Sequence, residues 1–167
     1  MMFGEALTAR AVELIDLCRT NRLKLAIAES CTGGLIAALI TSVSGSSDVF
    51  DAGFVTYSNA AKTRLIGVPA AMIYQFGAVS EEVARAMALG ALHHSDADIT
   101  VAVTGVAGPG GGSATKPVGL VHCAAARRGG AVLHDMLMLG EIGRETVRIA
   151  TVAHAVEMAY TLALPGP

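Results

Sequence analysis

The segment Ala28-Glu29-Ser30-Cys31-Thr32-Gly33-Gly34 sets a serine and a cysteine side by side, directly ahead of two glycines. A serine becomes a nucleophile when a base removes its proton, whereas a cysteine needs only its thiolate. Paired glycines let the backbone approach a ligand closely, and a helix beginning there offers free N–H groups to an anion or an oxyanion. Ser30 is thus a candidate nucleophile, with Thr32, Gly33 and Gly34 as candidate backbone contacts. A second glycine-rich segment runs from Thr104 through Gly105, Gly108, Gly110, Gly111 and Gly112 to Ser113. Its Gly108, Gly110 and Gly111 are candidate contacts to a phosphate. Neither segment contains the GxxxxGK[ST] or a clean GxGxxG nucleotide signature. One such turn is ordinarily only a tight turn. Two in so short a chain point to a site.

The base for Ser30 has to be found among few candidates. His93 and His94 fall late on a helix, His122 and His134 mid-strand, and His154 mid-helix, and none shows i, i+4 metal spacing. The chain has only three lysines, Lys24, Lys62 and Lys116. Lys62 lies in Val55-Thr56-Tyr57-Ser58-Asn59-Ala60-Ala61-Lys62, about one helical turn beyond a strand that should end beside Ser30. A lysine serves as a base where burial keeps it neutral, and Ser–Lys pairs are a known variant of the serine-hydrolase scheme. The plainer alternative is a solvated helix lysine. Cys31 is the rival nucleophile, but no histidine is placed to pair with it, so Ser30 is preferred. Arg144, in Gly143-Arg144-Glu145, begins a helix, where a cation is unfavourable unless an anion is bound. That makes Arg144 a candidate phosphate clamp.

These residues need a scaffold. Periodicity predicts helices over 5–20, 35–43, 59–65, 81–93 and 143–162, the fourth capped by Ser80 with Glu81 and Glu82 in its first turn. Strands are predicted at 23–28, 50–57 and 98–104, and a hairpin at 118–127 and 131–139 turning on Gly129-Gly130. Residues 66–79 read as a connector through Pro69 and Gly77. The pattern predicts one α/β domain over 1–167, a mixed, mainly parallel sheet flanked by helices, ending in a hairpin plus helix. Ligands then bind at the carboxyl ends of the strands.

Of 167 residues, 53% are apolar and 16% charged, with a net charge of −2. That charge gives no case for nucleic acid or an anionic membrane as partner. Three cysteines without paired spacing argue against a disulfide framework. Without a signal peptide or an apolar run of ~20 residues, a cytoplasmic location is expected. The high Ala and Gly content predicts a homo-oligomer.

Five motifs occur in order: Glu29-Ser30-Cys31-Thr32-Gly33-Gly34; Val55-Thr56-Tyr57-Ser58-Asn59 with Lys62; Gly77-Ala78-Val79-Ser80; Thr104-Gly105-Val106-Ala107-Gly108-Pro109-Gly110-Gly111; and Lys116-Pro117-Val118-Gly119. Together they closely resemble the C-terminal domain of the competence/damage-inducible protein CinA, over about residues 5–163. Stand-alone members of that family include nicotinamide-nucleotide amidohydrolases. The resemblance implies deamidation of nicotinamide mononucleotide (NMN) to nicotinate mononucleotide and ammonia, in pyridine-nucleotide recycling, with no metal and no cofactor. It implies Ser30 as nucleophile, Lys62 as base, and Tyr57 and Thr104 as assisting hydroxyls. Many members carry Gly-Asp-Arg where this chain has Ile142-Gly143-Arg144, so the arginine matches and the acidic residue does not. The alternatives are a non-catalytic module that holds a nucleotide or phosphate, and a hydrolase of a related amide.

Overall fold

The computed structural model describes residues 2–166. Among these, the elements in chain order are α1 (Glu5–Thr20), β1 (Leu25–Glu29), α2 (Leu35–Thr41), β2 (Phe50–Val55), α3 (Asn59–Ile66), α4 (Ala70–Phe76), α5 (Glu81–His93), β3 (Ile99–Gly105), β4 (Leu120–Arg127), β5 (Val132–Met138) and α6 (Arg144–Ala163). A single 3₁₀ turn at Ser46–Asp48 leads into β2. The five strands form one mixed sheet in the order β2-β1-β3-β4-β5. β1 runs parallel to β2 and β3, while β4 is antiparallel to β3 and to β5, so four of the five strands point one way.

The period of two along the strands separates the faces. Leu25, Ile27, Ile99, Val101, Val103, Val121 and Cys123 face a core shared with α1, α2 and α6. Ala28, Ala102, Ala124 and Ala126 face the other way, toward α5 and the residues around α3 and α4. One face therefore fills its layer with branched aliphatics, and the other with alanines that let α5 lie close. That helix is anchored by the Thr100 hydroxyl, which donates to the Ala88 carbonyl at 2.7 Å. Gly90 belongs to the same close approach: a Cβ there would overlap the Ile66 carbonyl of α3.

Two expectations are corrected. The stretch read as a connector contains helix α4, bracketed by Pro69 and Gly77. Only Ile73 of its seven residues is buried, so it carries no apolar period and is held by packing on α3 and α5. The second strand ends at Val55 rather than at position 57. Thr56 N–H donates to the Glu29 carbonyl at 2.7 Å, after which the chain leaves the ladder and Tyr57 stands 60% exposed.

No helix among the described residues is long and apolar enough to cross a membrane.

The chain leaves β1 toward β2 and leaves β3 toward β4, in opposite directions along the sheet. Such a switch point opens a crevice at the carboxyl ends of the two strands. The first glycine-rich turn follows β1 and the second follows β3, so both border it.

Candidate active site

The turn after β1 is built around Glu29. This carboxylate is buried, yet four donors surround it: the Thr32 hydroxyl at 2.6 Å and the N–H groups of Gly34, Ile36 and Ala37 at 3.0, 3.1 and 2.9 Å. A carboxylate at a helix start satisfies orphan N–H groups and complements the dipole. Here it fastens α2 to the end of β1, and the turn between them carries Ser30. Glu29→Gln is expected to lower stability by roughly 2–3 kcal/mol, because an amide NH₂ would meet N–H donors where an anion now accepts. Thermal unfolding reads this as a drop of about 4–12 °C.

Ser30 N–H donates to the Val103 carbonyl at 3.2 Å, which ties the turn to β3. Arg148, one turn along α6 from Arg144, donates from Nε to the Cys31 carbonyl (3.2 Å) and from Nη2 to the Thr32 carbonyl (2.9 Å). The positive φ of Gly33 and Gly34, +60° and +101°, completes the bend.

Lys62 arrives from α3. Ser58 caps that helix, its Oγ accepting from Ala61 N–H at 3.1 Å. Helix side chains lean toward the N-terminus, so a lysine in the second turn reaches back toward the ends of β1 and β2. Its Nζ lies 3.0 Å from Ser30 Oγ and donates to the Thr56 carbonyl at 2.8 Å. The side chain is 1% exposed, and among the described residues no carboxylate pairs with it. Burial pushes the Lys62 pKa below its ordinary value, as an amine desolvated without a counter-charge requires. Its remaining lone pair can then accept the Ser30 proton. Cys31 points elsewhere chemically: burial pushes its thiol up to about 11, leaving almost no thiolate near neutrality.

Ser30, Cys31, Tyr57, Asn59, Lys62 and Thr104 share one pocket of about 230 Å³ with Ala78, Val79, Ala107 and Arg144. Thr104 is buried and donates its hydroxyl proton to the Ala78 carbonyl at 2.8 Å. Tyr57 stands at the exposed rim, where its phenol oxygen accepts from Arg144 Nη2 at 3.1 Å. Arg144 Nη1 donates to the Gly108 carbonyl at 2.8 Å, linking the two glycine-rich segments through α6. A second pocket of about 290 Å³, lined by Ala107, Pro109, Val118, Glu141, Gly143 and Arg144, adjoins the first across Ala107 and Arg144.

Not every candidate sits as the sequence suggested. The Gly33 N–H donates to the Ser30 carbonyl and the Gly34 N–H to Glu29, so neither is available to an oxyanion. The Thr32 hydroxyl is likewise occupied by Glu29. The N–H groups without an acceptor among the described residues are those of Cys31 and Thr32. Gly110 and Gly111 are exposed and border neither pocket, so of the second segment only Gly108 touches the arginine. None of the five histidines lines the Ser30 pocket. His122 and His134 instead share a 2.9 Å ring-nitrogen hydrogen bond across β4 and β5. Among the described residues no group of three or more His, Cys, Asp or Glu converges as a metal site would.

Glu29 and Arg148 were missed in the sequence. The signal for Glu29 was a lone acid at the end of an apolar strand, three residues before Thr32. The signal for Arg148 was a second arginine one turn after Arg144.

Comparison with known proteins places these features among relatives. Residues 7–163 match the family model for the CinA C-terminal domain. A CinA-like protein of Geobacter sulfurreducens is 49% identical over 159 residues, covering 92% of this chain and 38% of that protein. The chain therefore spans well under half the length of that relative. The nicotinamide-nucleotide amidohydrolase PncC of Enterobacter agglomerans is 52% identical over 132 residues, covering 79% of this chain and 80% of the relative. The crystal structure of the competence/damage inducible protein CihA from Agrobacterium tumefaciens superposes with a TM-score of 0.95 at 50% identity, covering 97% of this chain and 98% of that one.

Proposed function

Given that the chain belongs to the CinA C-terminal domain family, we propose that it hydrolyses the carboxamide of NMN, releasing ammonia and nicotinate mononucleotide, with Ser30 as nucleophile and Lys62 as its base. The observation that carries this reading is the 3.0 Å approach of a buried, unpaired lysine to a serine at the mouth of a switch-point crevice. A module that only held phosphate would have no use for a desolvated amine beside a hydroxyl. The PncC relative's name supplies the substrate.

In this scheme neutral Lys62 takes the Ser30 proton as Oγ attacks the carboxamide carbon. The tetrahedral oxyanion collapses as the Lys62 ammonium returns that proton to the amide nitrogen, the C–N bond breaks and ammonia leaves. Lys62 then deprotonates a water that attacks the ester carbon. The C–Oγ bond breaks, Ser30 regains its proton and the carboxylate product departs. Tyr57 borders the ring side of the pocket, and Thr104 acts through the backbone it holds.

The adjoining pocket at Arg144 receives the 5′-phosphate. Gly143 gives α6 no side-chain cap, so its first-turn N–H groups stay available beside the guanidinium. With glycine rather than an acid at position 143, the contacts proposed for the anion are the Arg144 guanidinium and these N–H groups, with Glu141 on the wall of the same pocket. The setting this reading carries is cytoplasmic recycling of pyridine nucleotides by a self-associated enzyme.

Ammonia release from NMN, from nicotinamide riboside and from a small panel of unrelated amides tests it. Turnover is expected with NMN, much weaker turnover with the riboside, and none with the panel. No release from any amide overturns the reading in favour of a binding module. Arg144→Ala is expected to raise KM for NMN by about 10–100-fold, the loss of a charged hydrogen-bonded contact of roughly 1.5–3 kcal/mol. The weaker riboside rate should barely change, since that substrate has no phosphate to lose. Equal losses on both substrates would place Arg144 elsewhere in the mechanism.

A further inference from the structure

The motif Gly77-Ala78-Val79-Ser80 and the motif around Lys116 have so far been given no part in the chemistry, yet they meet. Three consecutive carbonyls leave the end of α4, and each is held by a side chain. Phe76 accepts from Lys116 Nζ, Gly77 from Ser80 Oγ at 2.8 Å, and Ala78 from Thr104 Oγ1 at 2.8 Å. The donors come from three places: the loop before β4, the N-cap of α5 and the end of β3. Gly77 sits at φ +79° and ψ 158°, backbone that side-chain-bearing residues avoid, and a Cβ there would collide with the Lys116 amine.

With its carbonyls so held, this strap cannot turn its peptide planes without breaking side-chain hydrogen bonds. Its donors are left over: the N–H groups of Ala78, Val79 and Ser80 find no acceptor among the described residues. Ala78 and Val79 line the Ser30 pocket, while Val79, Ser80 and Lys116 line a separate groove of about 420 Å³ that meets it at Val79. The Ser30 turn has the same construction. Arg148 holds the carbonyls of Cys31 and Thr32, and the N–H groups of those two residues are unoccupied. Fixed, unpaired backbone donors converging on a nucleophile from two loops are what stabilises the oxyanion of acyl transfer, usually with one donor from the residue after the nucleophile.

We propose that the Ala78–Val79 backbone N–H groups, together with that of Cys31, receive the carboxamide oxygen as it becomes an oxyanion, and that Lys116 is a positioning residue that holds the strap for this purpose. The proposal rests on the reading of Ser30 as nucleophile.

Lys116→Met keeps the aliphatic stem and removes the donor from a half-buried side chain. Its expected effect is a fall in kcat of about 10²-fold, the loss that follows a displaced oxyanion donor. KM for NMN should change less than about threefold, and the melting temperature should hold within about 2 °C. A second readout uses the analogue of NMN that carries an aldehyde in place of the carboxamide. Ser30 Oγ adds to the aldehyde carbon and its proton passes to the former carbonyl oxygen, giving a tetrahedral hemiacetal. Affinity for that analogue should fall in parallel with kcat, while affinity for nicotinate mononucleotide stays as in wild type. Lys116→Arg should recover most of the lost rate. With wild type active, unchanged kcat in Lys116→Met overturns the proposal alone. So does a rise confined to KM, or a loss that follows a lowered melting temperature. If wild type releases no ammonia from any amide, the reading of Ser30 fails and this proposal fails with it.

Discussion

With alanine at position 30, ammonia release from NMN is expected to fall by on the order of 10⁴-fold or more while the nucleotide still binds. The scheme has one covalent bond to the substrate, and Ser30 Oγ makes it. Removing a nucleophile that acts as a unit with its base leaves only the residual catalysis of positioning and oxyanion contacts. Binding should survive because the contacts proposed to hold the nucleotide, at Arg144 and the start of α6, do not pass through the serine hydroxyl. The fold should survive too. Ser30 is placed by its backbone N–H to Val103 and by the Glu29-centred turn, neither of which uses Oγ. Single-turnover ammonia assays beside equilibrium binding separate the two quantities. Cys31→Ala is the companion experiment. A thiol pushed up to about 11 by burial has no part as a thiolate at neutral pH, so that variant should keep most of its turnover. Substantial activity in Ser30→Ala, or its loss in Cys31→Ala, would move the nucleophile to the neighbouring residue.

The second large effect belongs to Lys62. Lys62→Met fills nearly the same volume without an amine, and kcat/KM is expected to drop by about 10²–10⁴-fold, the range a positioned general base supplies. In wild type, kcat/KM should rise with pH as Lys62 loses its proton, with a midpoint well below the ~10.4 of a free lysine. The direction follows from burial without a partner carboxylate. The same shift fixes a stability signature. Between the lowered folded-state pKa and ~10.4, the unfolded chain holds a proton on Lys62 that the folded chain does not. Stability therefore increases with pH across that window; below it the cost of the buried ammonium is present in full and constant, so Lys62 adds no pH dependence there. The methionine variant has no such term, so the difference in melting temperature, wild type minus variant, should grow as pH climbs toward ~10.4. A single-pH comparison is less informative. Losing the ammonium removes a desolvation cost, but it strands the Thr56 carbonyl, worth about 1–3 kcal/mol in the opposite sense. A flat difference across the window would mean that Lys62 titrates normally in the folded protein, and would remove it as the base.

Much of the scaffold was legible because its signals are local and periodic. Apolar residues at 11, 14, 15 and 18 mark the buried stripe of α1, and Ser80 marks the start of α5. Short, continuously apolar runs at β1 and β3, and a hairpin turning on Gly129-Gly130, mark strands to within a few residues. α4 escaped because a helix that buries one side chain has no period to detect. The end of β2 escaped because a ladder stops where its partner stops, and that is a property of β1 rather than of β2. The strand order was beyond reach for the same reason: pairing is decided between segments far apart in the chain.

At the site, the division follows range. The sequence by itself determined which chemistry was available: a serine before two glycines, histidines in positions unsuited to a base, and a lysine just past a strand in a chain with three lysines. It also carried the family resemblance, because ordered motifs survive as strings. Only the tertiary structure decided that Lys62 Nζ lies 3.0 Å from Ser30 Oγ, since that distance depends on how α3 leaves β2 and how β2 pairs with β1. It decided that the Gly33 and Gly34 N–H groups are taken and those of Cys31, Thr32, Ala78 and Val79 are not, because a backbone donor is free or occupied according to what folds against it. And it decided that Lys62 is buried without a counter-charge. Burial is a property of all the surrounding segments together, and it turns an ordinary lysine into a candidate base.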